Sequence, residues 1–413
     1  MSLINFSGAV PSASLPVGDR WLEEEFFRSC TAPNATAADM ATQFSATCRQ
    51  RPDDTDEPMS YNSVPSDLKP NRKQMLQDER ETWDLVARLL KDVETDRAPM
   101  ALPEVPCKYR QCVNPRDVVA NLLNNDGLLR RLHIVVQWLE DVLSGEVRCM
   151  ADKADWIATL QRESQNKTEG GVMDLDVQHR DCPLEERDIW AEQRFLQGVW
   201  ELVRAGSLTE ARDLCDEAHQ PWRAALVQVD VRQLDPTQAT SFQPCVEWYA
   251  AKDCYRRLAR DSQPLDKHER ALCAYAGGAL QPMIAACASW KEQLWAHLVH
   301  VLTYKIDQAL VKYYGVTQYQ PRLDLEAPEP RSTETGALID RVSEELMRHD
   351  RMPDQRVQRE AQAYFATIQT QLISALDLFL EPTPERRNAQ VLEKLLEASQ
   401  TPSAADATPT RFA

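Results

Sequence analysis

The chain has 413 residues, of which 43% are apolar and 27% charged, and its formal net charge is −17. This length allows two or three ordinary domains or one elongated helical array, and the apolar fraction is sufficient for a buried core. The negative charge argues against nonspecific nucleic-acid binding. Only 12 residues are glycine, whereas helix formers are abundant, so the composition predicts an all-α protein rather than many short strands with tight turns.

The 11 cysteines are spread along the whole chain. They lack the paired spacing of a disulfide framework, which favours a reducing compartment. The sequence contains no run of 18 apolar residues, so we expect no membrane-spanning helix. Any contact with a membrane would then pass through partners or through an amphipathic surface.

Composition also divides the chain into segments. Residues 1–70 are rich in Ser, Pro, Thr and Asp, and we expect an acidic, mostly disordered extension with a transient helix at residues 21–27 (WLEEEFF). The segments that follow are a helical body, a proline-rich loop, further helices and a loose tail, at residues 71–317, 318–336, 337–399 and 400–413.

The first helices of the body have apolar residues at the spacing of one buried helical face. The earlier set consists of Trp83, Val86, Leu89, Leu90 and Val93. Another helix is predicted to begin at Asn114-Pro115. The next apolar set, which Gly145 is expected to end, consists of Leu128, Leu132, Val135, Val136, Leu139 and either Val142 or Leu143.

Residues 204–225, RAGSLTEARDLCDEAHQPWRAA, which we call the signature block, predict three helices in close succession. Gly206 suits the left-handed residue that ends a helix, and Ser207 with Glu210 forms a predicted capping box for the next one. Pro221 suits the first turn of the third helix. The residues expected to face inward are, in the order of the three helices, Ile189, Leu196, Val199, Trp200 and Val203; Leu208, Ala211, Leu214, Cys215 and Ala218; and Trp222, Ala225, Leu226 and Val229.

The same order of helix, tight turn and helix recurs further along the chain. A helix is predicted to end at Gly277-Gly278, and Ser289 with Glu292 forms a second predicted capping box. The helix that follows has inward positions at Leu294, Trp295, Leu298, Val301, Leu302 and Ile306. Because the connections are short, adjacent helices should pack antiparallel. The pattern, which has no fixed period, predicts an irregular α-solenoid of antiparallel helix pairs without a sheet.

A search for catalytic or metal-binding patterns favours no enzyme and no cofactor. The sequence has no phosphate-binding loop and no nucleophile elbow. His297 and His300 have a spacing that can hold a metal, but no third ligand stands nearby. The pairs Cys107 with Cys112 and Asp174 with Asp176 are better explained as ordinary thiols and solvated acids.

Arg223 leaves two interpretations open. It could contact a partner, or it could have a structural role, bonding carbonyls at the end of the preceding helix or stacking on Trp222; the structural role is favoured. The tryptophans of the body are expected to be core residues, and they are Trp190, Trp200, Trp222, Trp248, Trp290 and Trp295.

The motifs of this region resemble those of the nucleoporin 107/84 family, a scaffold subunit of the Y-shaped nuclear pore complex. In the signature block the family's motifs are filled by the RAG of residues 204–206, the EA of 210–211, the LC of 214–215 and the QPWRAA of 220–225. His219 stands where the family usually has glycine. The VVQWLEDV of residues 135–142 and the downstream block containing Trp290 and Trp295 are also similar, so the resemblance covers roughly residues 128–309.

The resemblance implies an α-helical body of the type shared with vesicle-coat proteins, placed at the nuclear pore without catalytic activity. It also implies binding to a nucleoporin 96/145C-type subunit through the N-terminal helical half and to nucleoporin 133 through C-terminal helices. This chain ends soon after Leu380, short of the family's usual length, so we expect those C-terminal helices to be missing and leave the nucleoporin 133 contact open.

The function expected from these observations is that of a structural scaffold nucleoporin, working through helix-mediated contacts in pore assembly and in transport of mRNA and protein. A cytosolic vesicle-coat or tethering adaptor built on a related solenoid is the alternative. The helices between residues 118 and 143 carry more apolar positions than one face needs. We therefore place the partner contact there, at Val118, Leu122, Val135 and Leu139.

Overall fold

A computed structural model describes the chain at residues 28–29, 36–49, 72–95, 110, 113–145, 147, 156–159, 161, 184–227, 246–261, 265–316, 319–324 and 335–348. Every regular element in these ranges is helical, and no strand occurs among them. The all-α prediction is thereby confirmed. The chain divides into two compact units, one formed by residues 1–96 with 380–413 and the other by residues 97–379.

In the first unit, helix α1 (Ala37–Arg49) packs on helix α2 (Arg72–Glu94). Ala38 N–H donates to the Glu94 carboxylate at 3.3 Å, and Ser45 Oγ donates to the carbonyl oxygen of Arg80 at 3.3 Å. These two bonds show that the helices are antiparallel, because the start of α1 contacts the end of α2 and a later residue of α1 contacts an earlier residue of α2. The ring of Phe44 meets that of Trp83 edge to face, with centroids 4.8 Å apart.

Helix α1 differs from the disorder expected across residues 1–70. Its buried residues recur at helical spacing and are Ala37, Ala38, Ala41, Phe44 and Cys48. This apolar stripe is weak on its own, and it becomes a buried face only because α2 covers it. On α2 the predicted stripe is buried except for Val93, which lies in the last turn and is exposed. The expected helix at residues 21–27 lies outside the described residues.

The helices of the second unit follow one another in short steps. They are α3 (Pro115–Asn125), α4 (Gly127–Ser144), α5 (Glu186–Arg204), α6 (Leu208–Glu217), α7 (Pro221–Val227), α8 (Val246–Asp261), α9 (Lys267–Gly277), α10 (Leu280–Ala286), α11 (Trp290–Tyr314) and α12 (Thr335–Arg348). Helix α3 begins as predicted, since the side chain of Asn114 accepts a hydrogen bond from Arg116 N–H at 2.9 Å and Pro115 occupies the first turn.

Helix α11 is the most deeply packed element of this unit. All residues from Glu292 to Leu302 are buried, so this part of the helix is enclosed on every side. It contacts α10, its neighbour in sequence, and also α3, α4 and α12. The six inward positions predicted for it are confirmed as buried.

The packing within the second unit combines neighbouring helix pairs with contacts between distant parts of the sequence. Helix α8 packs on α9, α9 on α10, and α6 on α7, as expected for a solenoid of helix pairs. Helix α4, however, packs on α11, which follows it by about 150 residues. Among the helices that the structure describes, none has both the length and the apolar content needed to cross a bilayer.

Candidate functional site

The signature block begins with a tight turn between α5 and α6. Gly206 has φ +72°, in the left-handed region as predicted. Gly206 N–H donates to the carbonyl oxygen of Val203 at 3.1 Å, and Ser207 N–H donates to that of Leu202 at 3.0 Å. These two bonds form a Schellman motif, which satisfies carbonyl groups that the end of α5 would leave unpaired.

Helix α6 begins immediately after this turn without the predicted capping box. Ser207 is the N-cap residue, yet its side chain makes no capping hydrogen bond. Its φ of −80° and ψ of 56° lie away from the extended conformation that N-cap residues usually have. The helix starts there because the Ser207 carbonyl oxygen accepts from Ala211 N–H at 3.0 Å. The capping box of Ser207 and Glu210 was therefore wrong, although the helix boundary was right.

The turn at Gly206 packs against helix α4. A Cβ atom placed on Gly206 would lie 3.1 to 3.3 Å from atoms of the Glu140 side chain. Glu140 is itself buried, and its carboxylate accepts a hydrogen bond of 3.4 Å from the indole N–H of Trp295 on α11. Glycine is thus favoured here both by the backbone conformation and by the close approach of the Glu140 side chain of α4.

A second turn of the same kind joins α6 to α7. His219 has φ +55°, and its N–H donates to the carbonyl oxygen of Asp216 at 3.0 Å. Gln220 N–H donates to that of Cys215 at 2.9 Å, which completes another Schellman motif. His219 therefore occupies a left-handed position, where a side chain is strained and glycine is preferred.

Arg223 on α7 lies at the centre of a buried polar cluster. Its side chain is only 1% exposed and forms ion pairs with Glu192 of α5 at 2.5 Å and Glu269 of α9 at 2.7 Å. It also bonds the side chain of Gln220, and its guanidinium carbon lies 5.7 Å from the ring centroid of Trp222. Burial alone would lower the pKa of Arg223, but the charges of the two carboxylates raise it above its usual value.

This cluster decides between the two interpretations of Arg223. A guanidinium enclosed by α5, α7 and α9 cannot contact a partner, so the structural role is confirmed. Its bonding partners differ from those expected, because carboxylates from two other helices take the place of backbone carbonyls. Sequence pattern alone could not identify these carboxylates, since Glu269 is separated from Arg223 by 46 positions.

The second predicted capping box is half formed, because Ser289 caps the helix but the Glu292 carboxylate bonds the residue before the N-cap. Ser289 Oγ accepts from Glu292 N–H at 3.3 Å, and the Glu292 carboxylate accepts from Ala288 N–H at 2.8 Å. The same carboxylate forms an ion pair with Arg204 in the last turn of α5. Each charge suits its own helix end, because an anion is favoured at the N-terminus and a cation at the C-terminus.

A further polar cluster holds residues 319–324 to helices α8 and α11. Asp324 forms ion pairs with Arg256 at 2.5 Å and Arg260 at 2.6 Å, and its N–H donates to His300 Nε2 at 2.9 Å. Burial lowers the pKa of His300 to about 3, so the ring is neutral at ordinary pH. Burial alone would raise the pKa of Asp324, but Arg256 lowers it below the usual value.

Comparison with known proteins identifies the family. A family model described as nuclear pore protein 84 / 107 matches residues 73–376, which is most of the chain. The chain belongs to the nuclear pore protein 84 / 107 family. The resemblance inferred from the signature block is thereby confirmed.

Relatives within this family share modest identity with the chain. The nuclear pore complex protein Nup107 of Homo sapiens is 29% identical over 327 residues, which cover 72% of this chain and 34% of the relative. Nup107 of Drosophila melanogaster is 26% identical over 278 residues, covering 60% and 32%. Nucleoporin NUP84 of Chaetomium thermophilum is 23% identical over 290 residues, covering 60% and 30%. The chain thus spans about a third of the length of the relatives it matches.

The six tryptophans predicted to lie in the core fall into three groups by burial. Trp200 and Trp295 are buried and meet edge to face with centroids 5.8 Å apart, as expected for core residues. Trp190 is 58% exposed, which corrects the prediction that it lies in the core. The remaining members of the set are half-buried, and they are Trp222, Trp248 and Trp290.

The position of Trp190 on α5 explains why it is exposed. Asp188 and Glu192 take the inward positions at this end of the helix, because they bond Thr159, Trp156 and Arg223. The helix is thereby rotated so that Ile189, also predicted to face inward, is exposed. On α7 the predicted inward residue Ala225 is exposed as well, whereas Arg223 and Ala224 are buried.

Most of the residues predicted to form the partner contact on α3 and α4 are buried inside the protein. Val118, Val135 and Leu139 are buried, and Leu122 is half-buried. The excess of apolar positions on these helices is explained by α11, which packs on both of them. Burial thus contradicts the prediction that Val118, Val135 and Leu139 are exposed to a partner, whereas Leu122 remains partly accessible.

The residues considered as metal ligands have other roles in this fold. His297 is fully buried with its Nδ1 atom 2.8 Å from the carbonyl oxygen of Gln293, and His300 accepts the hydrogen bond from Asp324. Within the described ranges, no group of three or more potential ligands converges. The pairs formed by Cys107 with Cys112 and Asp174 with Asp176 lie outside those ranges.

Proposed function

We propose that this chain is a structural scaffold subunit of the nuclear pore complex, within its Y-shaped outer ring. It would act through helix-mediated contacts with other subunits, in pore assembly and in transport of mRNA and protein across the nuclear envelope. The observation that carries the proposal is the family match across residues 73–376, because it includes the whole interlocked helical unit around the signature block.

The chemistry of the described residues supports an architectural role. Arginine and carboxylate side chains that could take part in catalysis, such as Arg223, Glu192 and Glu269, are bonded to one another in the interior. Their effect is to lock helices α5, α7 and α9 together. A rigid helical body of this kind presents fixed surfaces to neighbouring subunits, which is the property that a scaffold requires.

The proposed partner is a nucleoporin 96/145C-type subunit. Its binding would be direct, whereas association with the nuclear membrane would pass through other subunits. The net charge of −17 makes direct binding to nucleic acid unfavourable. Neither a cofactor nor catalytic activity is needed for this role.

Localisation and co-purification test the proposal together. The chain, tagged at its chromosomal locus, should give a punctate nuclear rim and should co-purify with the nucleoporin 96/145C-type subunit. The variant Arg223→Met disrupts the buried ion pairs and should lower thermal stability. It should therefore also lose the nuclear-rim localisation and the co-purification. Vesicular puncta, or purification from nuclear envelopes without other outer-ring subunits, would contradict the proposal.

A further inference from the structure

Residues 156–159, with the sequence WIAT, bind the start of α5 through two side chains. The indole N–H of Trp156 donates to the Glu192 carboxylate at 2.8 Å. One oxygen of the Asp188 carboxylate accepts two hydrogen bonds of 2.6 Å from Thr159, one from its N–H and one from its hydroxyl. Thr159 Oγ1 in turn accepts from Glu185 N–H at 3.0 Å. We call residues 156–159 the clasp.

The surface that the clasp covers consists of Asp188, Glu192 and Trp222, and we call it the α5–α7 face. Both carboxylates of the face are buried, as are the two clasp residues that bond them, Trp156 and Thr159. The ring centroid of Trp156 lies 6.4 Å from that of Trp222, with the two planes tilted by 33°. The clasp therefore presents two inward side chains, three positions apart, to a face that has a matching acceptor for each.

Contacts that do not involve the clasp hold the α5–α7 face in place. Glu192 forms its ion pair with Arg223 of α7, and Arg223 also pairs with Glu269 of α9. Helix α5 packs in addition on α4, α6 and α9. The position of the face is thus set by the helical body, so the face is preorganised for a ligand and loses little entropy when one binds.

The clasp reaches this face as a separate piece of chain in a strained conformation. Thr159 and Glu185, which bond each other, are 26 positions apart, so the clasp is not a direct continuation of α5. Trp156 has φ +47°, in the left-handed region that large side chains rarely adopt. Such a conformation persists only where surrounding contacts impose it. The contacts of the clasp are therefore those of a peptide held by a binding site.

We propose that the α5–α7 face is a binding site for a peptide with a tryptophan followed three positions later by a threonine, and that the clasp occupies it as an exchangeable internal ligand. Buried carboxylates need hydrogen-bond donors, and this pair of residues supplies them to Glu192 and Asp188. Of the ten tryptophans in the chain, only Trp156 is followed by threonine at that spacing. The inference goes beyond the proposed function and does not depend on it.

Supplying the clasp as a separate peptide tests the inference on the full chain. The double variant Trp156→Gly with Thr159→Ala, which we call the emptied chain, removes both inward side chains, and glycine suits the positive φ. A fluorescein-labelled peptide with the sequence of residues 151–164 is titrated by fluorescence anisotropy. It should bind the emptied chain in a saturable 1:1 manner and raise its thermal midpoint. The wild-type chain should bind it much more weakly, because the clasp competes at an effective concentration on the order of millimolar.

Variants on both sides of the contact test its specificity. A peptide with Trp156→Ala or Thr159→Val should bind the emptied chain at least about tenfold more weakly, because each loses a hydrogen bond to a charged group. Adding Asp188→Ala to the emptied chain should weaken the unmodified peptide similarly and remove the effect of Thr159→Val. The matched control is Asp213→Ala, at an exposed position of α6, which should leave the affinity unchanged.

Three results would overturn the inference. If the emptied chain loses its helical circular dichroism or its cooperative unfolding, the clasp is an integral part of the core and not an exchangeable ligand. A folded emptied chain that fails to bind the peptide, or binds the Thr159→Val peptide equally well, contradicts the proposed recognition. Equal affinity for the wild-type and emptied chains would show that the peptide binds elsewhere on the protein.

Discussion

Arg204 and Glu292 form an ion pair that joins the last turn of α5 to the first turn of α11. Both side chains are almost completely buried, the Glu292 carboxylate also accepts a hydrogen bond from Ala288 N–H, and the Glu292 N–H donates to the capping Ser289 side chain. The pair connects the signature block to α11, the most deeply packed of the helices described in the second unit. Its contribution to stability can be separated from that of the cap.

Glu292→Gln should destabilise the protein by about 3–5 kcal/mol, because it leaves the buried guanidinium of Arg204 without its counter-charge. The amide oxygen can still accept the hydrogen bond from Ala288 N–H, and the backbone N–H still donates to Ser289, so the loss reports mainly on the ion pair. Urea denaturation followed by circular dichroism measures the change. In the double variant Arg204→Met with Glu292→Gln, the total loss should be smaller than the sum of the two single losses. Strict additivity would show that the pair contributes nothing.

Gly206→Ala should lower the free energy of unfolding more than Gly315→Ala. Both glycines have left-handed backbones, at φ +72° and +69°, so each substitution introduces strain of about 1–2 kcal/mol. Only at Gly206 would the new Cβ also approach Glu140, at 3.1 to 3.3 Å, whereas nothing lies within 4 Å at Gly315. Thermal unfolding of the two variants isolates the packing contribution. Equal losses would mean that the turn does not press on α4 in solution.

His219→Gly should stabilise the protein by about 1 kcal/mol. The histidine is exposed and occupies a left-handed position at φ +55°, so glycine removes backbone strain without removing a buried contact. His219→Ala retains the strain and serves as the control, with little expected gain. Differential scanning calorimetry measures both midpoints. A lower midpoint for His219→Gly would show that the histidine side chain has a stabilising contact there.

Acidification below the ordinary pKa of histidine should destabilise the protein through His300. Its folded pKa is about 3, whereas the unfolded group titrates near 6.5. Between these values the unfolded state binds the extra proton, so stability rises with pH, by up to about 1.4 kcal/mol per pH unit from this group. The titratable and charged groups that face His300 are His297, Arg256, Arg260 and Asp324; burial would raise the pKa of Asp324, but Arg256 lowers it below its usual value.

The variant His300→Gln tests this pH dependence. Glutamine can still accept the hydrogen bond from Asp324 N–H through its amide oxygen, and it does not titrate. Urea denaturation at pH 7 and pH 4.5 should therefore show a smaller loss of stability for the variant than for the wild type. The same loss in both proteins would assign the acid sensitivity to other groups.

The sequence was sufficient to predict the helices and the left-handed turn at Gly206, because both depend on local spacing and on the conformational freedom of glycine. It was also sufficient for the cap that the Ser289 side chain forms on Glu292 N–H. The matching box at Ser207 failed although its residue pattern is the same. A pattern identifies residues able to form a cap, whereas the backbone angles set by tertiary packing decide whether the cap forms.

The sequence could not predict which faces remain exposed. Trp190 is predicted to lie in the core because it is a tryptophan of the helical body, and Ile189 because of its helical spacing. Asp188 and Glu192 nevertheless take the inward positions through bonds to distant segments. Conversely, Val118 and Leu139 were assigned to a surface because α11, which covers their helices, lies far along the chain. Both errors arise because these faces are determined by contacts between residues far apart in the sequence, which the local spacing of apolar residues does not reveal.

The enclosure of α11 has a consequence for synthesis of the chain on the ribosome. Helix α4 is translated long before α11, the helix that covers its apolar side chains. At about 5–20 residues per second, this interval lasts on the order of 10 to 30 s. During that time α11 is not available to cover the apolar face of α4, which includes Val135, Val136 and Leu139. Biogenesis of this protein should therefore depend on a chaperone that shields α4 until its later-made neighbour emerges.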